Sequence, residues 1–127
     1  LDGAMAQLAA YFAGGLTAFD LPLDLRATGF QRAVLERVAR IPHGHTTTYG
    51  ALARELGRPE AARAVGSANG ANPIPVVIPC HRVVGAGGTL TGFGGGLPLK
   101  ARLLALEGHR VEDGRLVRPG QRSLFDA

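Results

Sequence analysis

The chain has 127 residues, of which 46% are hydrophobic, with one cysteine and a net charge of +4. This length supports one domain with a buried core and is short for two independent ones. A single cysteine excludes an internal disulfide and a cysteine-rich zinc site, and no apolar run approaches the roughly 18 residues of a membrane helix, so we expect a soluble protein of a reducing, cytoplasmic compartment.

The N-terminal part predicts one short helix. Apolar side chains recur at helical spacing over residues 4–13 and stop at Gly14-Gly15, and residues 16–27 follow as an extended linker. The chain does not start with methionine, which suggests a piece excised from a longer protein. We therefore assign residues 1–27 to the remnant of an upstream domain.

A second helix is predicted from the cap Thr28 onwards, with Phe30, Val34, Val38 and Ile41 on one apolar stripe. Residues 42–44, which include a proline and a glycine, should end it.

A helix-turn-helix is predicted next. Thr48 caps a short helix over residues 49–56, residues 57–59 form a tight turn, and a second helix covers residues 60–71. Small residues dominate the second helix and let its backbone approach a duplex closely. An alanine-rich packing helix is the alternative reading. The positive charge of the chain is nearly all arginine, which suits phosphates and guanine edges.

The C-terminal third mixes a glycine-rich segment, a helix and a tail. Residues 85–96 hold seven glycines and predict a mobile hairpin or loop, without the lysine of a nucleotide-binding P-loop. Pro98 opens a last helix that closes at Glu107-Gly108. A carboxylate at a helix C-terminus is unfavourable, so Glu107 is either solvated or recruited by another group. We expect residues 109–127 to fold loosely on the surface.

The one cysteine, Cys80, follows the proline-interrupted run of residues 72–79. Those prolines exclude a regular central strand and predict a stiff, extended connector that fixes the thiol in a pocket. A neighbouring base or cation raises the reactive thiolate fraction, so His81 and Arg82 bear on its chemistry. The alternative is a small buried hydrophobe.

Residues 72–85, with the sequence NPIPVVIPCHRVVG, resemble the active-site signature of the O6-alkylguanine-DNA alkyltransferases. The resemblance runs from about Phe30 to Gly108 and includes residues 41–44, 62–66 and 103–108. It implies that an alkylated guanine is flipped out of the duplex and that its alkyl group passes to the cysteine in one irreversible step.

The resemblance also implies four catalytic residues. Cys80 is the nucleophile and methyl acceptor, His81 is its base through a water, and Glu107 orients His81. Tyr49 crowds the phosphate of the target nucleotide and donates a proton to the guanine ring. Such a displacement needs a soft thiolate and a proton donor, without an oxyanion hole.

Other positions are assigned by the same resemblance. Arg63 enters the base stack and fills the space left by the flipped base, and Asn72 joins the recognition helix to the active-site segment. Phe93 replaces the family's lid tyrosine, and Leu35 stands where many members have tryptophan. The predicted DNA-binding residues are Thr48, Tyr49, Ala62, Arg63, Ala64, Gly66, Asn69 and Asn72, and the predicted substrate pocket is Asn72, Val83, Phe93 and Gly94.

We therefore predict a mainly α, winged helix-turn-helix-like domain over residues 28–108, with a short hairpin or loop and an extended active-site segment. It is expected to be a monomeric, single-turnover DNA methyltransferase that acts on double-stranded DNA and takes no cofactor and no metal. The alternatives are a non-catalytic relative that binds alkylated DNA and carries tryptophan in place of the cysteine, and a helix-turn-helix transcription regulator. A transcription regulator would leave residues 79–82 without a role.

Overall fold

A computed structural model describes residues 2–20, 29–91 and 96–117. The helices are α1 (Asp2–Phe12), α2 (Gly29–Val38), α3 (Tyr49–Glu55), α4 (Ala62–Gly70) and α5 (Leu97–Leu106), and the strands are β1 (Thr47–Thr48), β2 (Val83–Val84), β3 (Arg110–Glu112) and β4 (Arg115–Val117). The mainly α fold is as predicted. Among the described helices, none is long and apolar enough to cross a membrane.

The main core lies between α2, α3 and α4 and reaches the active-site segment. Its buried members are Val34, Leu35, Val38, Ile41, Leu52, Ala53, Val65, Ala68, Ile78 and Val83. Leu35 is fully buried, so leucine fills the core at the position where many members of the resembled family have tryptophan. Helix α2 ends three residues before Ile41, because the amides of Arg40 and Ile41 bond carbonyls three residues back and form a tighter turn.

The predicted helix-turn-helix is present as α3 and α4. The Oγ1 atom of Thr48 accepts a hydrogen bond from the Ala51 amide at 3.0 Å, which confirms the predicted cap. Gly57 takes a positive φ of 76° after α3, and the 3-10 turn Pro59–Ala61 leads into α4. The second helix is therefore regular only from Ala62.

The active-site segment is folded back and not extended as predicted. The Asn72 side chain accepts from the Ile74 amide at 2.9 Å and donates to the Ile78 carbonyl at 2.8 Å. These bonds close a turn in which Val76 has a positive φ of 75°, and the 3-10 turn Cys80–Arg82 follows. The prolines do exclude a strand here, but the Asn72 amide supplies partners for a turn.

The predicted loose tail is wrong over residues 109–117, where β3 and β4 form an antiparallel hairpin. Asp113 and Gly114 both take positive φ at its tip, as a two-residue hairpin turn requires. A second core cluster of Val84, Leu90, Leu104 and Leu116 lies beneath the hairpin. Gly88, in the glycine-rich segment, packs so closely that a Cβ there would lie 2.6 Å from the Leu116 carbonyl oxygen.

Helix α1 ends at Phe12, and Gly14, which has a φ of 83°, lies in the turn that follows, close to the predicted stop at Gly14-Gly15. The Gln7 side chain makes two hydrogen bonds to the backbone of Asp20, and these fasten the segment that follows the helix. The Thr28 cap and residues 21–27 of the predicted linker lie outside the described residues.

Candidate active site

Cys80 lies in a 3-10 turn held beneath α4. The Asn69 side-chain amide, on α4, donates to the Cys80 carbonyl at 3.1 Å, and β2 pairs in parallel with β1 through Thr47↔Val83. The cysteine is 4% exposed. The turn therefore holds the cysteine under α4, largely shielded from solvent.

The Cys80 thiol is protonated at neutral pH. Burial raises its pKa, against the opposing effects of an Asn72 hydrogen bond and the nearby charge of Lys100. Arg82, two residues further along the chain, was expected to raise the thiolate fraction of Cys80 but is engaged elsewhere. Arg82 instead donates to the Ile41 carbonyl at 2.6 Å and to both oxygens of Glu107. A thiol in this state needs a base before it can act as a nucleophile.

His81 is fully buried and lies 2.8 Å from Glu107, measured from Nε2 to Oε2. Because the carboxylate can only accept, Nε2 carries the proton and Nδ1 is left as the acceptor. Nδ1 is buried and has no partner in the part of the chain that the structure describes. Burial lowers the pKa of His81 despite the opposing carboxylate, so the imidazole is neutral and able to take a proton.

Glu107 is 5% exposed and is not the solvated helix-end carboxylate of the alternative. Its Oε1 accepts from Arg82 Nε at 2.7 Å, and its Oε2 accepts from His81, from Arg82 Nη2 and from the hydroxyl of Tyr11. Burial alone would raise the pKa of Glu107, but hydrogen bonds from His81, Arg82 and Tyr11 outweigh it and hold the pKa well below its usual range. The structure thus joins His81 to Glu107, with Cys80 next to His81 in the chain.

Sequence reasoning missed Lys100, which is fully buried. Its Nζ donates to the carbonyls of Val83 at 2.7 Å and Thr91 at 2.9 Å and lies 3.5 Å from the Tyr49 hydroxyl. Burial lowers the pKa of Lys100 to about 8, against the attraction of Cys80. The signal was available, because the only lysine stands three residues before the buried Leu103 on the same face of α5.

Tyr49 is half-buried at the start of α3, and its hydroxyl donates to the Thr91 carbonyl at 3.0 Å. It shares a surface pocket of about 430 Å³ with Ala62, Arg63, Gly66 and residues of the glycine-rich segment. Arg63 and Ala64 are exposed on α4, and the Tyr49 ring lies close beside Gly66. Tyr49 and these predicted DNA-binding residues of α4 therefore occupy one accessible region.

Two predicted contact residues are buried. Asn69 is 1% exposed and is engaged with Cys80, so its side chain cannot contact DNA as predicted. Val83 is fully buried in the main core and its carbonyl accepts from Lys100, and its place in the pocket wall stays a prediction. Asn72 is partly exposed beside Cys80, whereas Phe93 and Gly94 lie outside the described residues. Within residues 2–20, 29–91 and 96–117, no three His, Cys, Asp or Glu side chains are placed to hold a metal ion.

The chain was compared with known proteins. The family model described as "6-O-methylguanine DNA methyltransferase, DNA binding domain" matches residues 29–109. The methylated-DNA–protein-cysteine methyltransferase of Mycolicibacterium paratuberculosis is 56% identical over 124 residues, which are 98% of this chain and 71% of that protein.

Two solved structures extend the comparison. The crystal structure of Mycobacterium tuberculosis OGT in complex with DNA has a TM-score of 0.81 and 57% identity, covering 84% of this chain and 66% of that one. The crystal structure of S. pombe Atl1 in complex with damaged DNA containing O6-carboxymethylguanine has a TM-score of 0.61 and 32% identity, covering 69% of this chain and 83% of that one. The chain belongs to the 6-O-methylguanine DNA methyltransferase family.

Proposed function

We propose that this chain repairs DNA by moving an alkyl group from the O6 atom of guanine irreversibly to its own Cys80. The observation that carries the proposal is the buried pair of His81 and Glu107 beside the only cysteine. Glu107 fixes the proton on Nε2 and so leaves Nδ1 as the base. The names of the Mycolicibacterium and M. tuberculosis relatives support the same reaction.

The transfer can be written from these residues. The Cys80 proton passes through a water to Nδ1 of His81, and the thiolate attacks the alkyl carbon. The carbon–oxygen bond breaks as the carbon–sulfur bond forms, and its electron pair goes to the guanine. Tyr49 donates the proton that the guanine ring then requires, and the phenolate left on Tyr49 regains a proton from solvent as the His81 imidazolium releases one. The imidazolium is stabilised by Glu107, and the products are a thioether on Cys80 and an unmodified guanine.

Access to the base requires flipping, since a guanine inside the duplex stack cannot reach a buried thiol. Extrusion costs on the order of a few kcal/mol, which contacts to the distorted duplex must offset. We infer that Arg63 enters the stack from α4 and that Tyr49 crowds the phosphate. Their exposure around one pocket supports this assignment, and so do the relatives solved with DNA. The substrate is double-stranded DNA, and we infer that a monomer acts on it in the cytoplasm, or in the nucleus of a eukaryotic cell.

Mass spectrometry tests the proposal. After incubation with a duplex that contains O6-methylguanine, the intact protein should gain one methyl group, located on the Cys80 peptide. Cys80→Ser should bind the same duplex without gaining mass. Selective binding of the methylated duplex without any mass gain would instead identify a non-catalytic alkylated-DNA-binding protein. Binding that ignores the lesion would favour a transcription regulator.

A further inference from the structure

Tyr11 lies on α1, outside residues 29–109 that the family model matches, yet its side chain reaches the site. Its hydroxyl donates to Oε2 of Glu107 at 2.6 Å, and the residue is 1% exposed. Burial raises the pKa of Tyr11, and the neighbouring carboxylate raises it further. The phenol therefore keeps its proton and acts as a permanent donor to Glu107.

The Tyr11 ring is held on several sides. Its centroid lies 5.5 Å from that of Phe19 and 6.4 Å from that of His43, which meets it edge-on. The hydroxyl is thus aimed by packing of α1, the segment after it and the turn after α2. A ring fixed in this way can fix the carboxylate that it contacts.

The same oxygen also accepts from His81. Oε2 receives Nε2–H of His81 and an N–H of Arg82, both at 2.8 Å, together with the Tyr11 hydroxyl. Hydrogen-bond donors that share one carboxylate oxygen compete for its negative charge, so each donor weakens the hydrogen bonds that the oxygen accepts from the others. Tyr11 therefore affects both where Glu107 points and how strongly it stabilises a protonated His81.

We propose that Tyr11 is a positioning residue for methyl transfer, which sets the orientation of Glu107 and moderates the basicity of His81. This inference rests on the proposed function, because it needs His81 to be the base. It makes α1 a working part of the methyltransferase site. Four titratable or charged groups face the His81–Glu107 pair. Tyr11 and Arg82 hydrogen-bond Glu107, and Lys100 and His109 act on the pair through space.

Tyr11→Phe tests this, because it keeps the ring and removes only the hydroxyl. We expect single-turnover transfer to slow on the order of tenfold, because Glu107 loses a contact that orients it toward His81, with duplex affinity unchanged. Removing a competing donor leaves more charge on Oε2 for the imidazolium, so the pKa of His81 should rise. The acid limb of the pH–rate profile should therefore move to higher pH.

Phe12→Leu is the matched control. Phe12 neighbours Tyr11 on α1, is 51% exposed and packs edge-on against the Tyr11 ring, but its hydrocarbon ring has no group that can donate a hydrogen bond to Glu107. It should leave the rate and the pH profile unchanged. If Tyr11→Phe did the same, or lost rate only in proportion to its thermal stability with an unmoved pH profile, the proposal would be overturned.

A titration of the His81 imidazole by NMR gives a second readout that needs no DNA. An upward shift in Tyr11→Phe supports the role of Tyr11, and an unchanged titration contradicts it, even if the unaltered protein never accepts a methyl group. Absence of transfer to the unaltered protein would defeat the proposed function. The two failures are thus distinguishable.

Discussion

The side-chain amide of Asn69, on the recognition helix α4, donates a hydrogen bond to the carbonyl oxygen of Cys80 at 3.1 Å. Three residues further on, Asn72 donates to the Ile78 carbonyl at 2.8 Å. The first bond is buried and the second is partly buried, and together they tie the active-site turn to the helix that presents Arg63. We infer that contact of α4 with DNA and placement of the thiol are mechanically linked.

Asn69→Leu should uncouple the contact of α4 with DNA from the placement of the Cys80 thiol. The substitution keeps the branching and the number of heavy atoms of the side chain but leaves the buried Cys80 carbonyl without its donor, at a cost of about 1–3 kcal/mol. We expect a lower thermal midpoint and slower transfer on duplex DNA, measured at saturating protein. Ser67→Ala, at an exposed position of the same helix, is the control and should change neither. An Asn69 variant with the original rate would show that the tie does not position the thiol.

Much of the fold could be predicted because its signals are local. The Thr48 cap and the turn at residues 57–59 define the helix-turn-helix, and the prolines around Cys80 exclude a strand. The hairpin of β3 and β4 was missed although Asp113-Gly114 is a strong local turn signal. A hairpin or loop was predicted in the glycine-rich segment instead. The described part of that segment forms a short turn against Leu116.

The site was harder to predict beyond the residues that the family resemblance supplied. Tyr11 and Glu107 are separated by 96 positions and meet only through tertiary packing. The family resemblance assigned Asn69 to the DNA surface, yet the face of α4 on which it lies is buried. The direction of a helix face depends on neighbouring elements, and the sequence pattern of α4 alone does not specify it.

Turnover provides a further prediction. A thioether is a poor leaving group, and no second acceptor thiol exists, since Cys80 is the only cysteine. Each protein molecule should therefore repair one guanine. With methylated duplex in excess, the amount of guanine restored should level off at the amount of active protein. Continued repair beyond that level would contradict irreversible transfer to Cys80.

Arg63→Ala should separate flipping from chemistry. Removing the side chain that we place in the vacated stack should slow reaction on duplex DNA more than reaction on free O6-alkylguanine, which needs no flipping. Arg102→Ala removes the same charge from an exposed position of α5 and is the control. Equal losses on both substrates for Arg63→Ala would make Arg63 a folding or pocket residue.

Glu107→Gln should damage both rate and stability. An amide can present its NH₂ group to His81 and favour the wrong tautomer, so transfer should slow by orders of magnitude with DNA affinity nearly unchanged. The same change leaves Arg82 without its buried counter-charge, which costs on the order of 3–5 kcal/mol. Single-turnover rates and thermal midpoints on one preparation measure both effects. Full rate in this variant would remove Glu107 from the mechanism.

The stability of the protein should also depend on pH through Glu107. The pKa of Glu107 is lower in the folded state than in the unfolded chain, where a glutamate has a pKa of about 4.3. The unfolded chain therefore binds the proton first as pH falls, and the stabilisation present above about pH 4.3 is lost below it. Thermal midpoints of the unaltered protein should fall steeply there, and Glu107→Gln should lose that steep part. Glu36→Gln, at an exposed helix position, should keep it. If Glu107→Gln retained the steep acid loss, the buried cluster around Glu107 would not be its source, and other carboxylates would have to account for it.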